Sequence, residues 1–329
     1  MQTKIPTFVP RRGLGGGHRQ TLASFFLSLS RRPALPAAEE RFIEVEPGVQ
    51  ILAHCHWQTD RQNALTVIIV HGLEGSSDST YMLGIAAKGL AVGMNIVRMN
   101  QRNCGGTEAL APTLYHSGRS QDIAAVAQNL IEHDKISRFA LAGYSMGGNL
   151  VLKLAGEWGS SGPSQFRAVA AVCPAVNLAA SADALHLPSN RLYEQYFLWK
   201  LGGRLRSKAR LFPGAFDISR LRGIRSLREF DDRITAFYCG FTGAVDYYDR
   251  AAAAHVVDRI AVPTFILNAA NDPFIRILPE TRGKILGNPN ITFVETEDGG
   301  HCSYLGKTNG SDNDGRWAET RIVEFLRQF

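Results

Sequence analysis

Arg138-Phe139-Ala140-Leu141-Ala142-Gly143-Tyr144-Ser145-Met146-Gly147-Gly148-Asn149-Leu150-Val151 changes its periodicity in mid-run. Residues 138 to 142 form a short, mostly apolar run suited to a buried strand. From Gly147 onward Val151, Leu154, Ala155 and Trp158 recur at helical spacing. Between the two lies a Gly-Tyr-Ser-Met-Gly turn. A G-x-S-x-G pattern arises by chance about 0.2 times in a chain this rich in glycine, so its weight comes from the strand-turn-helix setting. Glycines on both sides of a sharp elbow admit close backbone packing, and they leave Ser145 exposed at its tip.

The same alternation extends in both directions. Phe42 to Val45 and Ile51 to Trp57 read as early, antiparallel strands, and Thr66 to Val70 as a buried central strand ending in the turn His71-Gly72. A helix capped by Ser77 or Asp78 follows, closed by Gly93. Asn95 to Met99 is the next strand, Gln121 to His133 an amphipathic helix, and Ala168 to Cys173 the strand after the elbow. Thr264 to Asn268 and Ile291 to Glu295 give two more strands, and Ile322, Phe325 and Leu326 mark a terminal helix. Strands alternating with helices predict a mostly parallel central sheet flanked by helices. The rhythm breaks from Ala179 to Arg250, an Arg-, Leu- and aromatic-rich stretch read as a mainly helical cap insertion. The expected division is therefore 1–178 (with an N-terminal lead-in, 1–40) and 251–329 as the two parts of one core, with 179–250 as the cap.

Serine is a poor nucleophile until a base takes its proton, and that base needs a carboxylate to hold its tautomer. In sheet enzymes with such an elbow the acid and then the histidine come later in the chain, on loops that follow strands. Asp272 follows the strand near Ala269 and His301 the strand near Glu295, so Ser145, Asp272 and His301 are the candidate catalytic residues, with Asp246 and Asp298 as substitutes for the acid. His71, His116 and His255 precede the proposed acid. Acyl transfer also requires donors for a developing oxyanion, and the backbone N–H groups of Leu73 and Met146 qualify as the oxyanion hole. His71, Tyr144, Tyr196 and Trp199 are candidate pocket residues. An apolar face in the same region, Leu192 to Trp199, is either core or the lining for an acyl chain.

These motifs resemble the YheT-like branch of the α/β-hydrolases. The likeness runs through Gly16-Gly17-His18-Arg19-Gln20-Thr21, His71 to Ser77, Arg102 to Thr107, Leu114 to Gly118, Gly143 to Asn149, Asn271 to Phe274 and Gly299-Gly300-His301, nearly the whole chain. It implies an α/β-hydrolase fold, a Ser145, Asp272, His301 triad and esterase or lipid-acyl hydrolase activity. Two places depart from the pattern: Asn271 stands where a second aspartate is frequent, and Cys302-Ser303-Tyr304 follows His301 where smaller aliphatic residues are usual.

Composition narrows the alternatives. Among 329 residues, 45% hydrophobic and 20% charged, a formal charge of +6 is too modest for a nucleic-acid binder. Ten basic residues against Glu194 and Asp217 fall between Arg191 and Arg228, a region that suggests peripheral contact with anionic lipid. Five cysteines lack metal-ligand spacing, and their odd number fits a reducing, cytoplasmic setting. The apolar segment Leu22 to Leu29, bounded by Arg31 and Arg32, is too short for a signal core. Gly13 to Gly17 lacks the spacing of a phosphate loop and a preceding strand. The expectation is a cofactor-free serine carboxylesterase acting on a small ester or lipid. The alternatives are an acyltransferase or lyase with the same triad, or a silent binding protein.

Overall fold

A computed structural model describes residues 5–27, 33–308, 312 and 314–329. Eight strands form one sheet in the order β1-β2-β4-β3-β5-β6-β7-β8. They are β1 (Glu39–Glu46), β2 (Val49–His56), β3 (Thr66–Val70), β4 (Asn95–Met99), β5 (Phe139–Tyr144), β6 (Phe166–Val172), β7 (Thr264–Ala269) and β8 (Ile291–Thr296). β2 pairs antiparallel with β1 and β4, and every other pairing is parallel. The helices are α1 (Gly17–Leu27), α2 (Thr80–Ala91), α3 (Ser120–Asp134), α4 (Met146–Trp158), α5 (Leu178–Leu185), α6 (Arg191–Leu211), α7 (Leu227–Phe230), α8 (Phe237–Cys239), α9 (Ala244–Ala251), α10 (Pro279–Gly287) and α11 (Trp317–Leu326). Of the apolar segment Leu22 to Leu29, the part up to Leu27 closes α1. Its end, with Arg31 and Arg32, lies outside the described residues.

The strand-helix alternation builds the layers through the two-residue period of a strand. In β3, Val67 and Ile69 join Met82 and Ile85 of α2 and Ile322 of α11 in one apolar cluster, whereas Ile68 and Val70 join Ile123 of α3 and Val151 of α4 in another. All five β3 side chains are buried, as a sheet covered on both faces requires. Each such aliphatic side chain contributes about 1.5–3 kcal/mol by leaving water.

Between β6 and β7 the chain is helical: α5 to α9, with a π-helical stretch Asp231–Ala236 joining α7 to α8. Leu201, Leu205, Leu227, Phe230 and Tyr248 from this stretch share the apolar cluster of α2 and α11, so it packs on the core.

Local chemistry shifts several expected boundaries. α2 starts at Thr80 because Ser77 and Asp78 are engaged elsewhere. The Ser77 amide donates to Asn100 at 2.8 Å and the Asp78 carboxylate accepts from Arg98 at 3.2 Å. β5 runs on to Tyr144 and α4 begins at Met146, which leaves Ser145 alone to make the turn. α1 was not legible as a helix, since its glycines suggested a loop. Among the described residues no helix is long and apolar enough to cross a membrane.

Candidate active site

Ligand sites of parallel sheets form at the carboxyl ends of the strands, and four loops there converge. β5 delivers Ser145, β3 delivers Leu73, β7 delivers Asp272 and β8 delivers His301. Ser145 has φ 54° and ψ −119°, a strained conformation for a residue with a Cβ. Close packing holds it: a Cβ on Gly143 would come within 2.3 Å of the Gly147 carbonyl oxygen, and one on Gly147 within 2.3 Å of the Val70 oxygen. Glycine is therefore the only residue the elbow accepts on either side.

Asp272, His301 and Ser145 form one continuous chain of hydrogen bonds. His301 Nδ1 lies 2.8 Å from Asp272 Oδ2, and Nε2 lies 3.0 Å from Ser145 Oγ. The other carboxylate oxygen of Asp272 accepts the backbone amides of Phe274 (3.0 Å) and Ile275 (2.9 Å). Burial alone would push the Asp272 carboxyl up. The facing His301 and these two amides outweigh it and hold Asp272 below the ordinary carboxylate range. An anionic Asp272 assigns the ring proton to Nδ1 and leaves the Nε2 lone pair facing the serine hydroxyl. The two substitute acids are occupied elsewhere. Asp298 accepts from Gly16, Asn271 and Gly299, and Asp246 from Thr242 and Arg250.

The backbone N–H groups of Leu73 and Met146 donate to no protein acceptor among the described residues, and both residues line a cavity with Ser145. The other amides of the Leu73 loop are engaged: Gly72 donates to the Tyr81 hydroxyl and Glu74 to the Tyr115 hydroxyl. His71 is not a pocket residue. It is fully buried behind the loop, its Nε2 accepting from the Gln101 amide and its Nδ1 donating to the Gly72 carbonyl, and burial pulls its pKa down to about 4. Tyr144 also misses the pocket, because side chains alternate along a strand. It turns into the core and stacks on Tyr81 at 4.2 Å. Trp199 lines neither cavity and is 70% exposed on the outer face of α6, whereas Tyr196 lines a cleft.

Two spaces meet at Ser145. One is a cavity of about 920 Å³ lined mainly by apolar side chains, including Leu114, Leu178, Leu185, Leu201 and Phe230. Its lining also carries Asp231, whose carboxyl burial pushes up to about 6. The other is a polar cleft of about 1540 Å³ that includes Ser76, Asp78, Ser79, Glu108, Lys200 and Arg204. Leu73, Ser145, Phe197 and Arg204 belong to both.

Residues distant in sequence brace this arrangement. The Thr21 hydroxyl accepts the His301 amide at 2.9 Å, and Gln20 makes two bonds to the Leu305 backbone, so α1 holds the histidine loop. Asn271 links the acid and histidine loops, donating to Asp298 and accepting from Gly300, which gives the departure at that position a structural task. Arg204 of α6 reaches Glu74 beside the Leu73 amide through two bonds, 2.8 and 2.9 Å, with side-chain exposures of only 10% and 2%. The motifs Gly16 to Thr21 and His71 to Ser77 pointed to these places without revealing what they do.

A sequence profile of the family described as alpha/beta hydrolase fold matches residues 66–308. The chain belongs to the α/β-hydrolase family, on its YheT-like branch. It is 30% identical to YheT of Escherichia coli, a protein named as a candidate esterase, over 98% of this chain and 93% of that one. It is also 30% identical to mouse phospholipase ABHD3 over 76% of this chain, a match spanning 60% of the mouse protein. Among solved structures, the Pyrococcus furiosus esterase Pf2001 superposes with a TM-score of 0.58 at 17% identity, covering 100% of this chain and 99% of that one. At that identity the likeness concerns the fold.

For this α/β-hydrolase the Arg204–Glu74 pair carries a prediction. Arg204→Ala leaves a buried carboxylate unpaired beside the Leu73 amide, and a displacement of about 1 Å near reacting atoms costs about 100-fold. kcat on a soluble ester should fall by about that factor with KM changed far less. Arg204→Lys should restore little, since an ammonium cannot hold both carboxylate oxygens in one plane. An unchanged kcat in Arg204→Ala would remove the pair from any positioning role.

Proposed function

We propose that the protein is a serine hydrolase of carboxylic esters, working through an acyl-enzyme on Ser145. The observation that carries this reading is the unbroken Asp272-His301-Ser145 chain of hydrogen bonds beside two undonated backbone amides. Ser145 Oγ attacks the ester carbonyl as His301 Nε2 takes its proton. The amides of Leu73 and Met146 receive the charge on the carbonyl oxygen, each contributing about 100- to 1000-fold in rate. His301 then gives the proton to the leaving alcohol, and a water activated the same way releases the acid. The reaction calls for no cofactor.

The two spaces suggest how a substrate lies. The apolar cavity suits the acyl chain and the polar cleft the alcohol, with residues 179–250 serving as a cap over the serine. The test is hydrolysis of nitrophenyl esters of increasing acyl length. Each methylene buried contributes about 0.8 kcal/mol, so kcat/KM should rise about fourfold per carbon until the cavity fills. A steady decline from acetate upward would remove the acyl role from the cavity. Adding a primary alcohol to the same assay separates hydrolysis from acyl transfer by product.

Five free thiols suit a reducing compartment, and we place the protein in the cytoplasm on that ground. Contact with anionic lipid takes a narrower form than the basic cluster implied. Arg204 is ion-paired and Lys208 is buried against the carbonyls of Glu108 and Ala111, so neither faces solvent as a surface charge. Leu192 and Trp199 are 85% and 70% exposed and stand at heptad spacing with the exposed Arg206, which Arg210 follows one turn on. With about 1 kcal/mol per arginine at an anionic surface, Arg206→Ala with Arg210→Ala should weaken binding to phosphatidylserine vesicles about 30-fold. Equal cosedimentation of both forms would end the lipid-surface reading.

A further inference from the structure

Cys302 is the residue at which the histidine loop departs from its family, and ester hydrolysis makes no use of it. Its Sγ lies 3.6 Å from His301 Nε2. Behind it, at the end of β6, stands Cys173, fully buried, whose Sγ accepts the Cys302 backbone amide at 3.5 Å. The Sγ atoms of Cys173 and Cys302 and a ring nitrogen of His301 all lie within 4.8 Å of one another, and no other group of three or more such ligands is found among the described residues. Both cysteines have left-handed backbone, φ 42° and 58°, which sets their side chains toward one point.

That spacing has a chemical meaning. Zinc holds thiolate sulfur at about 2.3 Å and imidazole nitrogen at about 2.0–2.1 Å, so in a tetrahedral site sulfur and nitrogen are about 3.5–3.6 Å apart. The Cys302-His301 pair already has this separation. Two thiols and an imidazole are a soft donor set, of the kind that selects zinc-class cations over magnesium or calcium. His301 and Cys302 both line the polar cleft, which gives a metal ion its path, and Ser145 Oγ or a water stands ready for the fourth position.

We propose that Cys173, Cys302 and His301 bind one soft divalent cation of the zinc class, and that binding switches the enzyme off reversibly. On coordination each thiol releases its proton to solvent and His301 donates its Nε2 lone pair to the metal. The inhibitory half of the proposal rests on the serine-hydrolase reading, because that lone pair is the one that activates Ser145. The binding half does not.

The experiment uses the whole chain, stripped with chelator under inert gas, with its thiols counted as reduced. Zinc chloride is titrated against it by competition with a chromophoric chelator, and in parallel against ester hydrolysis scaled to each form's own zinc-free rate. The expected result is one zinc per chain, with binding and inhibition sharing a midpoint. Cys302→Ala and Cys173→Ala each shift both curves by at least about 100-fold, since changing even an outer partner of a metal ligand costs 10- to 100-fold. Either variant suffices should the other fail to fold. The proposal is overturned if the stripped protein takes up no zinc, if uptake is unaltered in both variants, or if inhibition persists in them. It is also overturned if the thiols prove oxidised to a disulfide after zinc treatment. A protein inactive on esters that still binds one zinc through these thiols would overturn the hydrolase reading and leave the metal site standing.

Discussion

Ser145→Ala is expected to lower kcat on an activated ester by roughly six orders of magnitude, the scale seen when the nucleophile of a serine triad is removed. No other group can stand in. Ser145 Oγ is the only oxygen the structure places on His301 Nε2, and its strained backbone exists to hold it there. The cavity and the cleft do not depend on that hydroxyl, so KM should change little and a residual rate of about 10³–10⁴ over water should persist from the oxyanion amides. Intact-mass labelling with a fluorophosphonate reads the same point without a substrate: wild type gains one adduct and the variant none. An adduct on Ser145→Ala would assign the nucleophile elsewhere, and a folded wild type that takes no label would favour a binding protein.

Asp272→Asn should cost about 10⁴-fold in kcat with the fold retained, through the tautomer of His301. The two Asp272 oxygens do different work, one holding His301 Nδ1 and the other taking the amides of Phe274 and Ile275. Asparagine offers one acceptor. If its oxygen keeps the two amides, its NH₂ faces the ring and places the imidazole proton on Nε2, where it cannot accept from Ser145. Asp246→Asn, assayed beside it, should stay within a few-fold, because Asp246 is bonded to Thr242 and Arg250. Equal losses in the two variants would mean that the carboxylate acts through stability alone.

The legible parts of the molecule were those written in consecutive residues. A strand period meeting a helix period around Gly143-Tyr144-Ser145-Met146-Gly147 announced the elbow, and turns just past strand ends announced Asp272 and His301. Contacts between distant segments were not legible. Thr21 holds the His301 amide across 280 positions, and Arg204 holds Glu74 across 130. Lys208 read as part of a charged surface, yet it shares the inward stripe of α6 with Leu201 and Leu205 and ends on two carbonyls. Composition cannot reveal such an inward lysine, because its partners are backbone atoms present at every residue. Tyr144 was misplaced for a different reason. Adjacency to Ser145 in sequence suggested adjacency in the pocket, and the pleat of β5 turned it to the opposite side.

The Arg204–Glu74 pair joins two things usually treated apart, the element over the serine and the loop beneath it. Lifting α6 to admit a bulky lipid means separating two nearly buried charges, and that separation frees the segment carrying the Leu73 amide. At about 3–5 kcal/mol for a broken buried pair, only on the order of one molecule in a hundred to a few thousand stands open at any moment. Access and turnover then belong to different conformers: an open form that loads and cannot stabilise an oxyanion, and a closed form that reacts and cannot exchange. Such an interlock keeps the activated serine from spending itself on passing esters, and it makes the rate of lifting an upper bound on turnover for any substrate too large to enter the closed form.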